Sequence, residues 1–420
     1  MQPIIYWFRN DLRLHDNPAL AAAVQSQRPV LFVYVFEEKW ITGQYLGFRR
    51  CGANRLAFWE ASVLAMRRQL RQMGGELHIF RGNSQDIIHT IAKKVNALAV
   101  YAQHEFAHEE TELERLLAAQ VNLQLFWGNM LFIPGTIALE VEKSPFYFSA
   151  FHRKVLSLKP HIGQTVTSTD IHFHRTTIDI ESYEPLSQAV LVHKAGEEEA
   201  LSLLHNYLHS GHLIDYHLTR ELFEGNGFST LWSPYLSMGS LSVQRAFHQL
   251  EAVSDTNRAL APSVEKLKSQ LIWRDYYRWL FLRYGKRIFR RTGLRTVTPL
   301  MHDDHDAFEA WRLGQTGNAL VDALMRELMQ TGFISNRGRM IASYYLSKEM
   351  KTNWLWGANW FESQLIDYDV CNNYGNWAYQ SGTGTDSRIN RRFNVVKQAE
   401  KFDPKGLYRN RWADRQEGLP

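Results

Sequence analysis

The sequence predicts a protein in two parts, an α/β domain built on a doubly wound parallel sheet and a second domain that is all-α. Within residues 1–130, five short apolar runs alternate with amphipathic stretches, which is typical of a parallel sheet covered by helices on both faces. From residue 196 onward, Leu, Trp and Tyr recur at three- and four-residue spacing, which indicates helices. The 420 residues also exceed what one compact core normally holds. We expect the α/β domain over residues 1–130, a surface connector over 131–195 and the all-α domain over 196–420.

The five apolar runs are interpreted as strands because each is almost continuous, as strands buried on both faces are. They begin at Ile4, Val30, Glu76, Ala97 and Leu123. The intervening stretches carry Leu, Ala, Ile and Met at helical spacing and are expected to form helices over 17–25, 48–73, 84–94 and 109–120. The strand ends of such a sheet form a crevice that can hold a ligand.

Composition narrows the class of protein and its compartment. With 45% hydrophobic and 22% charged residues, the chain resembles water-soluble globular proteins. No apolar run reaches the roughly 18 residues of a membrane span, and the N-terminus lacks a signal-peptide pattern. The two cysteines, Cys51 and Cys371, fit a reducing compartment and argue against a disulfide framework. We expect a cytoplasmic protein that acts as a monomer.

Positive charge is concentrated in two stretches. Residues 264–295 carry ten Lys or Arg against two acidic residues, and residues 388–415 carry nine against three. Both stretches also contain Trp and Tyr, whose rings can stack on nucleic-acid bases. Solvated helix faces carry similar charge, so charge alone leaves both interpretations open.

A possible zinc motif lies in the first domain. His104, Glu105 and His108 spell HExxH, which on a helix would place two imidazoles on one face for zinc. Here the motif follows an apolar strand and precedes an acidic helix, so it falls in a strand-to-helix turn without an evident third ligand. We therefore expect no metal site.

Two carboxylates, Asp367 and Asp369, lie within the apolar segment SQLIDYDV. An uncompensated charge in such surroundings costs several kcal/mol, so each carboxylate needs a cation. Arg337 and Arg339 of the motif NRGRM can supply planar, doubly hydrogen-bonded partners. An ordinary buried ion pair between two helices is the alternative.

A hydroxyl-rich turn precedes one of the predicted helices. Ser229, Thr230 and Ser233 stand near that helix start, which suits a phosphate or pyrophosphate, and Tyr216 and Arg220 could close over the same anion. A serine that caps the helix is the alternative.

A third group shares one face of a predicted helix. Gln270, Trp273, Arg274 and Tyr277 combine an amide, an indole and a guanidinium, which together can hold a flat, unpaired base by stacking and hydrogen bonds. The alternative is an amphipathic helix whose Trp packs in the core.

These segments resemble one family in both motif and order. The motifs are WFRNDLRLHDNPAL, PFYFSAFHRKV, STLWSP, LIWRDYYRW, AWRLGQTGNALVDALMREL, NRGRM, SQLIDYDV, NNYGNW and RINRRFNVVKQAEKFDPKG. In this order they resemble the photolyase and cryptochrome flavoproteins, in particular the cryptochrome DASH branch, over nearly the whole chain. The resemblance implies the photolyase/cryptochrome fold, with FAD in the helical domain at the bottom of a cavity that opens onto a basic, DNA-facing surface. It leaves open whether the first domain holds a second, antenna chromophore, such as a folate or a deazaflavin.

The resemblance also implies roles for individual residues. Those expected to hold the FAD phosphates and ribityl chain are Tyr216, Ser229, Thr230, Leu231 and Ser233. Those expected to line the flavin ring are Asn336, Arg337, Asp367, Asp369 and Asn373. Those expected to contact the lesion or the DNA are Arg220, Gln270, Trp273, Arg274, Tyr277, Met340, Tyr379 and Gln398. Trp377 and Trp354 match the inner and middle members of the tryptophan relay that photoreduces the flavin.

The implied activity is light-driven electron transfer from reduced FAD to a cyclobutane pyrimidine dimer flipped out of DNA, with single-stranded DNA preferred. A blue-light sensor that binds DNA or a partner without repair is the alternative, and a nucleic-acid-binding protein without flavin is a third possibility. Three positions depart from the family pattern. Gln270 replaces the lesion-binding glutamate of dimer photolyases, Met301 replaces the outer relay tryptophan, and Met340 stands where DASH proteins usually carry Gln.

Overall fold

The computed structural model describes residues 1–157, 171–174, 193–296, 299–388 and 392–413. Within these ranges, the longest and most apolar helices still fall short of what a membrane crossing requires. Much of the predicted connector, residues 158–170 and 175–192, lies outside the described residues.

A five-stranded parallel sheet forms the first domain, as predicted. The strands of the chain are β1 (Ile4–Phe8), β2 (Val30–Glu37), β3 (Gln44–Tyr45), β4 (Phe48–Arg49), β5 (Leu77–Gly82), β6 (Ala99–Gln103) and β7 (Leu123–Phe126). The sheet has the order β5-β2-β1-β6-β7 with every neighbouring pair parallel, while β3 and β4 form a separate antiparallel hairpin. All residues of β1 and β2 are buried, because helices cover both faces of the sheet.

Five helices accompany this sheet, and the sequence defines their starts locally. They are α1 (Pro18–Gln25), α2 (Glu38–Thr42), α3 (Ala53–Gln72), α4 (Ser84–Lys94) and α5 (His108–Ala118). The side chain of Asn17 caps α1 ahead of a proline at its first turn, and that of Asn83 caps α4. The helix predicted over 48–73 begins later, at Ala53. Leu46 and Gly47 adopt positive φ and turn the chain into the β3–β4 hairpin before the helix starts.

The second part of the chain is helical, as predicted. Its helices are α6 (Phe148–Ser157), α7 (Glu197–His209), α8 (Tyr216–Thr219), α9 (Ser233–Met238), α10 (Val243–Thr256), α11 (Ala261–Tyr284), α12 (His305–Arg312), α13 (Ala319–Thr331), α14 (Asn336–Tyr344), α15 (Trp354–Gln364), α16 (Val370–Ser381), α17 (Val395–Phe402) and α18 (Leu407–Ala413). A π-helical turn, Tyr345–Glu349, follows α14 directly. The 24-residue α11 packs against α6, α10 and α16 and is the central helix of this part.

Helix α6 lies inside the segment predicted as a connector. Phe151 and Val155 are buried on one side of it, and the ring of Phe151 contacts those of Tyr276 and Trp279 on α11 at 5.4 and 6.0 Å. The aromatic residues of PFYFSAF therefore pack against α11. This was not predicted, because the segment has little helical periodicity.

Buried polar contacts join the two parts of the molecule. The Arg13 guanidinium is almost fully buried and donates to the carbonyl oxygens of Gly128 and Gly239 at 2.7 and 2.9 Å. On α11, one carboxylate oxygen of Asp275 accepts the backbone N–H groups of Leu131 and Phe132 at 2.6 and 2.8 Å. Its other oxygen is buried without a hydrogen-bond partner among the described residues. The interface between the two parts thus contains a buried carboxyl group with hydrogen bonds to only one of its two oxygens.

Asp275→Asn is expected to stabilise the protein at pH 7 more than at pH 4. Burial raises the pKa of Asp275 to about 6, so wild-type stability falls as the pH rises from about 4 to about 6 and stays low above that range. Asparagine keeps an oxygen acceptor for the two backbone amides and does not ionise. Urea unfolding at both pH values measures the free energy of unfolding of the two proteins. Relative to wild type, the variant should gain about 2 kcal/mol of stability between pH 4 and pH 7. A difference that is equal at the two pH values would contradict the burial argument.

Candidate functional site

A cavity of about 520 Å³ lies in the helical part, bounded by α11, α14, α16 and the segment around α9. This volume is within the range of small-molecule sites. The sequence-predicted residues that line it are Tyr216, Arg220, Ser229, Thr230, Ser233, Gln270, Trp273, Arg274, Tyr277, Asn336, Met340, Asp367, Asp369, Asn373, Trp377 and Tyr379. The predicted residues that are not part of its lining are Leu231, Arg337, Trp354 and Gln398.

Both carboxylates at the start of α16 have guanidinium partners. Asp367 pairs with Arg339 at 2.9 Å, which confirms that expected pair. Asp369 pairs with Arg278 of α11 at 2.6 Å and also caps α16 by accepting the backbone N–H of Asn372. Burial disfavours ionisation of Asp369, but the positive charges of Arg278 and Arg274 outweigh burial and hold its pKa below the ordinary value. Asp369 is therefore ionised at neutral pH.

The prediction that Arg337 pairs with these carboxylates was wrong, and Arg337 is not part of the cavity lining. Successive residues on a helix turn by about 100°, so Arg337 and Arg339 point about 200° apart on α14, and Arg339 is the one that faces α16. Arg337 instead pairs with Glu221, lies over the ring of Phe402 at 5.1 Å and donates to Gln398 at 3.4 Å. Gln398, which was expected to contact the DNA, lies on α17 and accepts this hydrogen bond from Arg337 of α14.

Two side chains that line the cavity have hydrogen-bonding capacity left over. In Asp367, the Oδ1 oxygen is buried and has no hydrogen-bond partner in the described part of the chain. The side-chain N–H of Asn373 donates to the carbonyl of Ala358 at 2.9 Å, so its amide oxygen is the atom left to accept. Buried acceptors of this kind are normally satisfied, and a ligand with hydroxyl or ring N–H groups would satisfy both. FAD carries such groups, so these residues fit it.

The turn before α9 supplies hydroxyls to the cavity wall. Ser229 and Thr230 accept the backbone N–H groups two residues ahead, at 3.2 and 3.4 Å. Leu231, which follows Thr230, has φ +54°, a conformation that residues other than glycine adopt rarely. Its side chain packs against the hydrophobic core and does not line the cavity, so Leu231 shapes the turn through its backbone.

Arg274, which was expected to contact the DNA, lines the cavity but is also held by three hydrogen bonds within the protein. Its guanidinium donates to the carbonyl oxygens of Asn129 and Leu236 at 2.9 Å and also to the side chain of Asn129. Burial, followed by the charge of Arg278, lowers the pKa of Arg274 to about 9. Arg274 therefore connects α11 to the first domain and to α9.

An aromatic cluster borders the cavity around Trp273. Phe148 of α6 stacks on the Trp273 ring at 3.7 Å with an interplanar angle of 11°. Tyr379 meets the same indole edge-on at 5.7 Å, and Tyr277 lies 5.5 Å from it. Sequence reasoning missed Phe148 because it lies in the predicted connector, although the aromatic run PFYF was a visible signal.

Gln270 and Met340 also line the cavity and are half-buried. The Gln270 amide makes no hydrogen bond to any described residue. Asn336 donates to the Met340 sulfur at 3.9 Å, a weak contact. Both side chains are therefore able to reorient toward a bound molecule.

The HExxH residues lie in the strand-to-helix turn expected for them, since β6 ends at Gln103 and α5 begins at His108. His104 contacts Glu114 at 2.6 Å. Over the described ranges, no group of three or more His, Cys, Asp or Glu side chains is arranged to hold a metal ion.

Comparison with known families identifies the two parts of the chain. Residues 4–167 match the family described as DNA photolyase, and residues 267–420 match the FAD binding domain of DNA photolyase. The chain is also 35% identical over 433 residues to a cryptochrome DASH of Synechocystis sp., which covers 99% of this chain and 88% of that protein.

This chain belongs to the photolyase/cryptochrome family.

Other relatives agree with this assignment. Cryptochrome DASH of Gloeobacter violaceus is 36% identical, with 99% of this chain and 86% of the relative covered. A crystal structure of Synechocystis cryptochrome superposes with a TM-score of 0.94 at 34% identity, covering 100% of this chain and 90% of that one. A bacterial class III photolyase from Agrobacterium tumefaciens gives 0.82 at 25% identity, covering 98% and 86%. The photolyase/cryptochrome fold is thus confirmed, and FAD is the cofactor of the helical domain.

A second, smaller cavity of about 90 Å³ lies between the sheet and α16 of this photolyase/cryptochrome protein. Ser237, Tyr368 and Asp369 line both cavities and form the wall between them. Its volume is well below the roughly 300 Å³ at which small-molecule sites begin. A folate or a deazaflavin would fit in this smaller cavity only if its walls moved apart.

Arg339→Ala is expected to reduce bound FAD, whereas Arg337→Ala should not. Loss of Arg339 leaves the buried Asp367 charge unpaired at the cavity, while loss of Arg337 removes a pair outside it. The FAD-to-protein absorbance ratio of Arg339→Ala should fall about fivefold, equivalent to about 1 kcal/mol of binding free energy. Thermal unfolding of both variants controls for general damage. Equal FAD retention in the two variants would contradict the pairing.

Proposed function

We propose that this protein splits cyclobutane pyrimidine dimers in DNA, preferably single-stranded DNA, under blue light. One observation carries the proposal. The same cavity is lined by paired ions and unsatisfied acceptors that suit a flavin and by aromatic and amide groups that suit an ejected base. A flavin and a flipped dimer could therefore meet inside one cavity.

The proposed cofactor contacts follow the cavity lining. When bound, FAD supplies the light-driven electron for bond cleavage. The residues proposed to hold its phosphates and ribityl chain are Tyr216, Ser229, Thr230 and Ser233. Those proposed to surround its ring are Asn336, Arg339, Asp367, Asp369 and Asn373. The Asn373 amide oxygen offers an acceptor there without adding a charge, and the Arg339–Asp367 pair keeps the region close to neutral.

The proposed substrate contacts lie at Gln270, Trp273 and Tyr379. An indole and a phenol meeting edge-on present two aromatic surfaces to a flipped dimer, and the free amide of Gln270 can donate to a base carbonyl. Lys266 also lines the cavity, so its ammonium can contact a phosphate beside the ejected bases. Flipping costs less free energy when the bases are not already paired, which favours single-stranded DNA.

The alternative is a blue-light sensor that binds DNA or a partner without repair. Gln270 favours it, because an amide cannot provide the carboxyl proton or the negative charge of a glutamate at this position. The Gln270 amide, which is free to bind a base, and the aromatic cluster around Trp273 favour repair. The expectation of a cytoplasmic monomer stays a prediction.

Chemically reduced protein illuminated with blue light is expected to remove dimers from an oligonucleotide, faster in single strands than in duplexes. Chromatography of the digested oligonucleotide measures the remaining dimers, and samples kept in the dark serve as the control. Dimer content that does not change in either kind of DNA would remove the repair function and leave the sensor.

Gln270→Glu is expected to raise the rate of dimer splitting, because a carboxyl group adds a proton donor beside the flipped bases. Gln270→Leu, of similar size but without hydrogen-bonding groups, should lower it. Rates of dimer loss with pre-reduced protein measure both effects. A glutamate variant no faster than wild type would show that another group limits the reaction.

A further inference from the structure

Phe148 of α6 lies flat against the Trp273 indole, the ring proposed to contact an ejected base. The two ring centroids are 3.7 Å apart, and the ring planes are inclined by only 11°. Trp273 lines the large cavity, whereas Phe148 is not part of the cavity lining. The indole face that Phe148 covers is therefore turned away from the cavity. The opposite face remains for a base to stack on.

Contacts between rings fix the Trp273 indole. This side chain is only half-buried, and its N–H makes no hydrogen bond to any described residue. Tyr276, Tyr277 and Tyr379 meet the indole edge-on or tilted, with centroid distances of 5.5, 5.5 and 5.7 Å. Side chains that lack such contacts change rotamer within nanoseconds when they are exposed. Phe148 adds the stacked contact that restricts rotation of the indole plane.

The segment that carries Phe148 is itself attached to α11. The Tyr276 hydroxyl donates to the carbonyl oxygen of Phe146, two residues before Phe148. The buried ring of Phe151, about one turn later on α6, contacts the rings of Tyr276 and Trp279. Contacts on both sides of Phe148 therefore fix the position of its ring relative to α11.

An indole that is ordered in advance lowers the free-energy cost of holding a base. A side chain that becomes ordered only on binding loses rotamer entropy, and this loss reduces affinity. A ring that is already fixed avoids the loss and gives the stacked base one position in the cavity. A single position matters here because the proposed reaction needs the dimer and the flavin held in one relative orientation.

We propose that Phe148 is a positioning residue for base recognition, which holds the Trp273 indole as a rigid platform on which the ejected dimer stacks. The inference rests on the proposed function, since the dimer is the proposed occupant of the open indole face. Phe148 acts through Trp273 and does not touch the substrate. Its loss should therefore weaken the binding of a dimer-bearing strand more than it slows the splitting of a bound dimer.

Binding of a dimer-bearing single strand to the FAD-loaded protein in the dark tests this role. Phe148→Leu should raise the dissociation constant about tenfold, because the strand must then order the indole itself. Phe148→Tyr keeps the stacked ring and should stay within about twofold of wild type. Equal binding by Phe148→Leu and wild type would overturn the proposal, as would failure of the tyrosine variant to retain affinity.

Phe151→Leu is the matched control for damage to α6. It removes a buried ring from the same helix and should lower the thermal unfolding temperature without weakening binding of the strand. Equal losses of affinity in Phe148→Leu and Phe151→Leu would show that only the general packing of α6 matters, which would contradict the proposal.

A double-mutant cycle tests whether Phe148 acts through Trp273. In a Trp273→Leu background, Phe148→Leu should change the dissociation constant by less than about twofold, because the ring that Phe148 positions is already gone. An undiminished tenfold effect in that background would contradict the proposal.

Fluorine NMR of protein labelled with 5-fluorotryptophan reports on the indole without any DNA. The Trp273 signal, identified by its loss in Trp273→Leu, should be single in wild type and in Phe151→Leu. In Phe148→Leu it should be split or broadened, because the indole samples more than one rotamer. A single, sharp signal in Phe148→Leu would contradict the proposal.

Measurements under blue light separate this inference from the proposed function. Pre-reduced Phe148→Leu should need about tenfold more dimer-bearing strand for half its maximal rate, with the maximal rate within about twofold of wild type. A lower maximal rate at unchanged half-saturation would contradict a role in binding. Wild-type protein that binds the strand as described in the dark and splits no dimers in the light would refute repair and leave the positioning role in place.

Discussion

The site depends on two ion pairs at the start of α16, each with one buried partner. Asp367 and Asp369 flank a tyrosine, and each carboxylate is held by a different helix, Arg339 on α14 and Arg278 on α11. The Asp369 carboxylate also caps α16, so one group sets where the helix begins and ties it to the central helix. Breaking a buried pair leaves an uncompensated charge, which costs about 3–5 kcal/mol. The spacing of α11, α14 and α16, and hence the cavity among them, follows from these pairs.

The same arrangement connects the fold to chemistry. Arg339 uses only one oxygen of Asp367, so the other oxygen stays available, and the amide oxygen of Asn373 is likewise left to accept. The wall that carries Asp369 separates the large cavity from the smaller one under the sheet. The α/β domain is fastened against this wall through Arg274 and Asp275 of α11, both buried in contacts with residues 129–132.

Sequence reasoning succeeded where a pattern is local. The strands of the sheet followed from continuous apolar runs, and α4 begins and ends at the predicted residues, 84 and 94. It failed where the outcome depends on helix phase or on partners distant in the chain. Arg337 and Arg339 look equivalent in NRGRM, yet only Arg339 faces α16. Arg274 looked free, but the backbone of Asn129 takes its donors, and Phe148 covers Trp273 from a segment whose periodicity is weak.

We propose that the cavity bounded by α11, α14 and α16 holds the flavin ring against Asp367 and Asn373. A crystal structure of the purified, yellow protein would test this placement. We expect electron density for FAD in that cavity, with a flavin-side hydrogen-bond donor on the unpaired oxygen of Asp367. Density for FAD elsewhere, or a cavity closed by packed side chains around Asp367, would contradict it.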